Sequence, residues 1–224
     1  MKTFRAFTMI ELIFIIVVVG ILAAVAIPRV ERNGLIEAAD QLSSHIRYTQ
    51  QLAMNDNKFN ATDPNWHLKG WRIKFTGTTY EIFDGSITGN NIGEINRAGG
   101  TVTSEFAVDP MNPQKFLTPN APATTTEQNK KLNLANTYSI TNIALGGACA
   151  NLPEANRAIL FDVKGRPMSY HGTLYGGLFT TVCTITLTNE AGVTAVIFVQ
   201  PETGYVGASA AQNPAGGDIL YTFN

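Results

Sequence analysis

One carboxylate stands alone in an apolar run, and it is the residue with the most chemistry to explain. Glu11 is the only charged side chain between Phe7 and Pro28. A charged group in such a segment is costly unless something pairs with it, so it marks a functional position by default. The other groups able to do chemistry are scattered. His45, His67 and His171 have no second ligand type nearby in a metal-binding pattern, and each reads as a surface or interface histidine. Asp56, Asp63, Asp84 and Asp109 sit in turn-like contexts without the alternating acids of a calcium loop, and Asp218 is isolated. Ser169, His171 and Asp162 can be drawn as a nucleophile–base–acid trio, but turn residues explain them better. Catalytic, cofactor-binding and metal-ligating residues are therefore all read as none, and the chain as not an enzyme.

The two cysteines, Cys149 and Cys183, lack metal-ligand spacing. Outside the cytoplasm they would form a disulfide, closing a loop of about 35 residues for roughly 2–4 kcal/mol. The alternative is two buried free thiols. The formal net charge of -1 and the absence of a basic stripe argue against nucleic acid as a partner.

Those residues need elements to hold them. From Phe7 to Ile27 the chain is apolar and long enough, at about 1.5 Å per residue, to span roughly 30 Å of hydrocarbon. Lys2 and Arg5 precede it, which predicts a cytoplasmic N-terminus and an exported remainder. After Pro28 the apolar positions Leu35, Ala39, Leu42, Ile46, Thr49 and Ala53 alternate in steps of four and three, one face of an amphipathic helix. The reading is one long helix over 7–54, transmembrane over 7–27 and amphipathic after, about 70 Å long. Pro28 bends it and Gly20 softens it.

Residues 55–224 hold most of the 20 glycines and every proline but Pro28, with abundant Thr and Asn, as in a β-rich head. Strands are expected at Gly70–Phe75 and Thr79–Phe83 around Gly77. Trp71, Ile73 and Phe75 would be buried, with Arg72 and Lys74 wet. Val102–Val108 is a further apolar patch, Asp109–Asn129 a long exposed excursion, and Leu132–Leu145 one or two strands with Tyr138 and Ile140 on one face. Ala158–Asp162, Cys183–Thr188, Ala195–Gln200 and Gly204–Val206 read as a β-meander, with turns at Val163–Pro167 and Asn189–Gly192. The fold class expected is α+β: a long N-terminal helix packed on an antiparallel β-sheet head.

The run Phe7-Thr8-Met9-Ile10-Glu11-Leu12-Ile13, followed by Val19-Gly20-Ile21-Leu22-Ala23-Ala24-Val25-Ala26-Ile27-Pro28, resembles the N-terminus of type IV pilins and type II secretion pseudopilins. The resemblance implies a leader of residues 1–6, cut by a prepilin peptidase between Ala6 and Phe7, with N-methylation of Phe7. It implies that Glu11 pairs with the terminal amine of a neighbouring subunit, and that Phe7, Glu11, Gly20 and Pro28 serve assembly. Ala6 departs from the glycine usual in the family before the cut. Phe161–Pro167, Thr184–Thr188, Val196–Val199 and Gly204–Val206 resemble the H-type minor pseudopilins and related minor pilins. Some minor pilins of that branch bind DNA through basic residues in the last glycine-containing turn; here Gly204-Tyr205-Val206-Gly207 has none.

The function implied is a structural minor subunit of a periplasmic type II secretion pseudopilus. Its partners would be other subunits through the N-terminal helix, the prepilin peptidase, the assembly platform and ATPase, and the inner membrane before assembly. It would be a single-pass inner-membrane protein with a periplasmic head until it enters the filament. The alternatives are a type IV pilus subunit acting in adhesion, motility or DNA uptake, and a membrane-anchored ligand-binding protein.

Overall fold

The computed structural model describes residues 8–26, 34–63, 66–84, 87–88, 91–92, 106–120, 127–152, 157–169 and 177–208. The chain divides into two units, Met1–Asn33 and Gly34–Asn224. The first contains helix α1, Met9–Ala26. The second opens with helix α2, Gly34–Asn55, and carries the strands.

The expected transmembrane-then-amphipathic helix is corrected here. Among the described residues no helix is long and apolar enough to cross a membrane. As described, α1 has 18 residues and rises about 27 Å, against about 30 Å for a hydrocarbon core. The single-pass inner-membrane placement, with a cytoplasmic N-terminus and a periplasmic head, falls with that span. Within the expected helix of 7–54 the described residues hold α1 as far as Ala26 and α2 from Gly34; residues 27–33, with the bend expected at Pro28, lie outside them.

In the second unit, helices pack on antiparallel sheet. Strands β1 (Trp71–Thr76) and β2 (Thr79–Asp84) form a hairpin whose turn needs the left-handed conformation of Gly77, at φ 57°. Two two-stranded pairs follow: β3 (Ile87–Thr88) with β4 (Asn91–Ile92), and β5 (Val108–Asp109) with the five-residue β6 (Asn112–Phe116). Then come helix α3 (Leu134–Tyr138), β7 (Ile140–Gly147), β8 (Ala158–Phe161), β9 (Pro167–Met168), β10 (Cys183–Asn189), β11 (Thr194–Val199) and β12 (Val206–Ala208). One sheet runs β2-β1-β8-β9 and the other β12-β11-β10-β7.

The α2 stripe explains why the unit holds together. Leu35, Ala38, Ala39, Leu42, Ile46 and Ala53 are buried in one cluster with Ile73 and Phe75 of the first sheet and Ile185, Leu187 and Ile197 of the second. One helix face thus serves two sheets. Cys183, Ile185 and Leu187 point inward and alternate with half-buried threonines, the period-2 pattern of a sheet with one covered face.

Several local expectations change. The C-terminal meander does not form as read, because β8 pairs with β1 in the first sheet while β7 pairs with β10. Tyr138 is not on a strand: Asn133 caps α3 by accepting from Asn136 N–H, and Tyr138 ends that helix. The excursion Asp109–Asn129 is partly ordered structure, with Leu117 and Thr118 fully buried and Ile82 N–H donating to Leu117 C=O at 2.9 Å. Arg72 is buried, not wet. Its face of the sheet carries Phe83 and Leu160 as cross-strand neighbours, and Phe106 and Phe116 pack with Phe83 to cover it.

Candidate functional site

In α1 the site is built from Thr8 and Glu11. Glu11 N–H donates to Thr8 C=O at 3.1 Å and lies 3.4 Å from Thr8 Oγ1. Threonine followed three residues later by glutamate is a capping-box arrangement, so the local sequence starts the helix here. It also puts the carboxyl in the first turn, where the helix dipole favours negative charge. Around it the side chains are apolar on all sides and exposed, with Ile10 at 77% and Phe14 at 69%. A helix apolar all round is normally covered by other protein or by lipid. A Cβ on Gly20 would meet nothing within 4 Å. Among the processing and assembly residues Glu11 and Gly20 thus share α1, while Ala6, Phe7 and Pro28 lie outside the described residues.

The head's polar groups form three clusters. At the end of α2, Asp56 Oδ2 accepts from Trp71 Nε1 at 2.9 Å, and Lys58 Nζ lies 2.5 Å from the same oxygen and 3.0 Å from Asp84 Oδ2. Burial would raise the Asp56 carboxyl, but the bonds from Lys58 and Trp71 outweigh it and hold it below its ordinary value. Burial works against the Lys58 charge, yet Asp56 and Asp84 hold its pKa above the usual one. Beside this cluster a shallow, solvent-open cleft is lined by Trp66, Phe161, Val163 and Met168, with Asp56, Lys58 and Asp162 at its polar part. Its charges are committed, Asp56 with Lys58 and Asp162 with Arg166, leaving mainly apolar walls.

The second cluster is the Asp162 turn. Asp162 Oδ1 accepts from the backbone N–H of Lys164 and Arg166 at 2.9 and 2.8 Å, and Oδ2 takes Arg166 Nε and Nη2 at 2.8 and 2.7 Å. That carboxylate holds a turn. Ser169 Oγ is 3.5 Å from Gly177 C=O, and His171 lies outside the described residues, so the structure does not assemble the trio drawn with Asp162.

The third cluster centres on buried His45, whose Nδ1 is 2.7 Å from Tyr80 Oη. Burial brings its pKa down to about 4, against the opposing charge of Asp109. Asp109 is itself buried and accepts from Asn129 Nδ2 at 2.7 Å.

Cys149 and Cys183 are joined in a disulfide with Cα atoms 5.1 Å apart, tying the turn after β7 to the start of β10. The described residues include no group of three or more His, Cys, Asp or Glu placed to hold a metal ion.

Sequence reasoning missed Gln41, Tyr80 and Arg72 as polar members of the core. Gln41 and Arg72 carry no local signal, because their partners come from segments far along the chain. No family model, curated protein or solved structure matches this chain.

Proposed function

We propose that the chain is a structural subunit of a pilin-type filament, a minor subunit of the secretion pseudopilin kind, that performs no chemistry on a substrate. The observation that carries this reading is α1: apolar and exposed on every side, with a single carboxylate in its first turn. Such a surface is covered when copies of the helix pack together, and burial of its apolar area drives the association. A carboxylate carried into that bundle needs a partner, because an unpaired buried charge is strongly destabilising. The amine created by cleavage between Ala6 and Phe7 of an adjacent subunit would supply it. Gly20 would let a neighbouring helix approach closely. The head decorates the filament and contacts cargo or outer machinery, and a processing peptidase, platform protein and ATPase would serve assembly. The disulfide supports a head that matures in an oxidising compartment.

Glu11→Ala tests the reading. The variant should be processed and stable yet enter filaments at least tenfold less well, measured by filament yield after shearing. Intact mass of the wild-type protein should show loss of Met1–Ala6 and one added methyl on Phe7. Normal incorporation of Glu11→Ala, or a chain that keeps its first six residues in filaments, would sink the proposal.

A further inference from the structure

A hydrogen-bonded chain of side chains crosses the head, and filament formation does not use it. His45, on the inward side of α2, meets the Tyr80 ring edge-on with centroids 5.7 Å apart. Gln41, one turn earlier, donates from Nε2 to Tyr80 Oη at 2.8 Å and to Lys131 C=O at 3.2 Å. Tyr138 Oη in turn donates to Gln41 Oε1 at 2.7 Å. Three elements are thus joined through one helix turn: β2, α3 and the short 3-10 segment Lys130–Leu132.

The proton inventory sets the direction of this chain. A phenol has one proton to donate. Burial raises the Tyr80 pKa, so the hydroxyl keeps that proton. The Tyr80 oxygen accepts from Gln41, so its hydrogen goes to His45 Nδ1, which must act as acceptor. A neutral ring carrying its proton on Nε2 fits. An imidazolium would turn Nδ1 into a second donor toward the same oxygen and strand the phenol hydrogen.

We propose that His45 is an acid-operated latch on the seam between α2 and the β2–α3 side of the head, and that its protonation reverses this hydrogen bond and lets the seam open. The ionisable groups facing it from the packed elements are Tyr80 on β2 and Asp109 on β5, with Tyr138 of α3 reached through Gln41. Asp109 is the only one of these whose negative charge favours the cation, and its carboxylate is held by Asn129 Nδ2 and Met111 N–H.

The sign follows from linkage. Above the ordinary histidine pKa of 6.5 the ring is neutral whether the seam is open or closed. As pH falls below that value the open form binds the proton first. The ratio of open to closed therefore rises about tenfold per pH unit and levels off once the closed form also protonates, near pH 4.

The test is hydrogen exchange on the full chain between pH 7 and pH 4, corrected for intrinsic rates. Amides of α2 and α3 should lose roughly a hundredfold of protection, more than those of β10 and β11. His45→Gln keeps a side-chain acceptor for Tyr80 and cannot titrate, so that differential loss should vanish. Equal loss in wild type and variant, or equal loss across all elements, would overturn the latch. Nitrogen NMR of wild-type His45 gives a reading that does not depend on the variant's folding. The Nε2–H tautomer, titrating near pH 4, is expected; an Nδ1–H tautomer or titration near pH 6.5 would overturn it.

Discussion

Arg72 is a cation placed where an alternating strand would put a solvated side chain. It is 1% exposed. Its guanidinium donates to Gly70 C=O through Nε at 3.3 Å and Nη2 at 3.2 Å, and lies 5.7 Å from the Phe83 ring centroid. Burial lowers its pKa to about 10, and the neighbouring Asp84 charge opposes that fall. The group stays ionised at neutral pH, so removing it takes away one of the cations near Asp84 and leaves Lys58 Nζ at 3.0 Å from its Oδ2. Arg72→Ala should destabilise the head by about 2–4 kcal/mol in urea titrations, because it empties a buried site and takes both side-chain donors from the Gly70 carbonyl. Arg72→Lys should recover little of this, because a point ammonium reproduces neither the two bonds to Gly70 nor the stacking on Phe83.

Among the elements, turns hold the two sheets in register with α2. Gln50 of α2 donates from Nε2 to Gly165 C=O at 2.8 Å and to Thr203 C=O at 2.9 Å, joining the turn after β8 to the turn after β11. Gly204, at φ 63°, lies against that junction, and a Cβ there would run into the Gly165 carbonyl and the Gln50 amide. Gly77 has a similar φ of 57°, but its Cβ would meet nothing within 4 Å. The two glycines separate conformational strain from collision. Gly77→Ala should lower stability by about 1 kcal/mol, from backbone strain alone. Gly204→Ala should cost about 3 kcal/mol or more, because overpacking adds to the strain. Denaturant midpoints of the two variants decide this.

The same elements show what the sequence makes legible. The stripe from Leu35 to Ala53 and the alternation in β1, β10 and β11 are periodic, and periodicity survives without knowledge of partners. Arg72 was misread because alternation reports two faces but not whether the second is covered. Its cover comes from Phe106 and Phe116, far along the chain. The assignment of β8 to one sheet and β7 to the other depends on pairing between distant segments, which no local pattern encodes. The short apolar stretch around Tyr138 is as compatible with helix as with strand, and the Asn133 cap decides it. At the candidate site, Glu11 stood out because it is alone in its surroundings. The links of His45 to Tyr80 and of Gln41 to Tyr138 appear only once the chain has folded.

At the scale of the whole molecule, the disulfide is the only covalent cross-link among the described residues, its ends 34 positions apart in sequence. Loop-closure entropy makes it worth roughly 3–4 kcal/mol. Replacing both Cys149 and Cys183 with serine should lower stability by about that amount, read as a shift in urea midpoint. A reducing agent should shift the wild type alike and leave the variant unmoved. The head also spends most of the apolar side of α2 on its own interior, so Glu37, Asp40, Ser44, Arg47, Gln51 and Met54 are the main side chains that helix offers outward. An acidic start and a basic middle along one rod form a charge pattern, and Coulomb attraction between such rods fades within a Debye length as ions are added. If the proposed fibre forms, ionic strength should loosen any contact made through this charged face of α2, while apolar contacts made by α1 should hardly notice it.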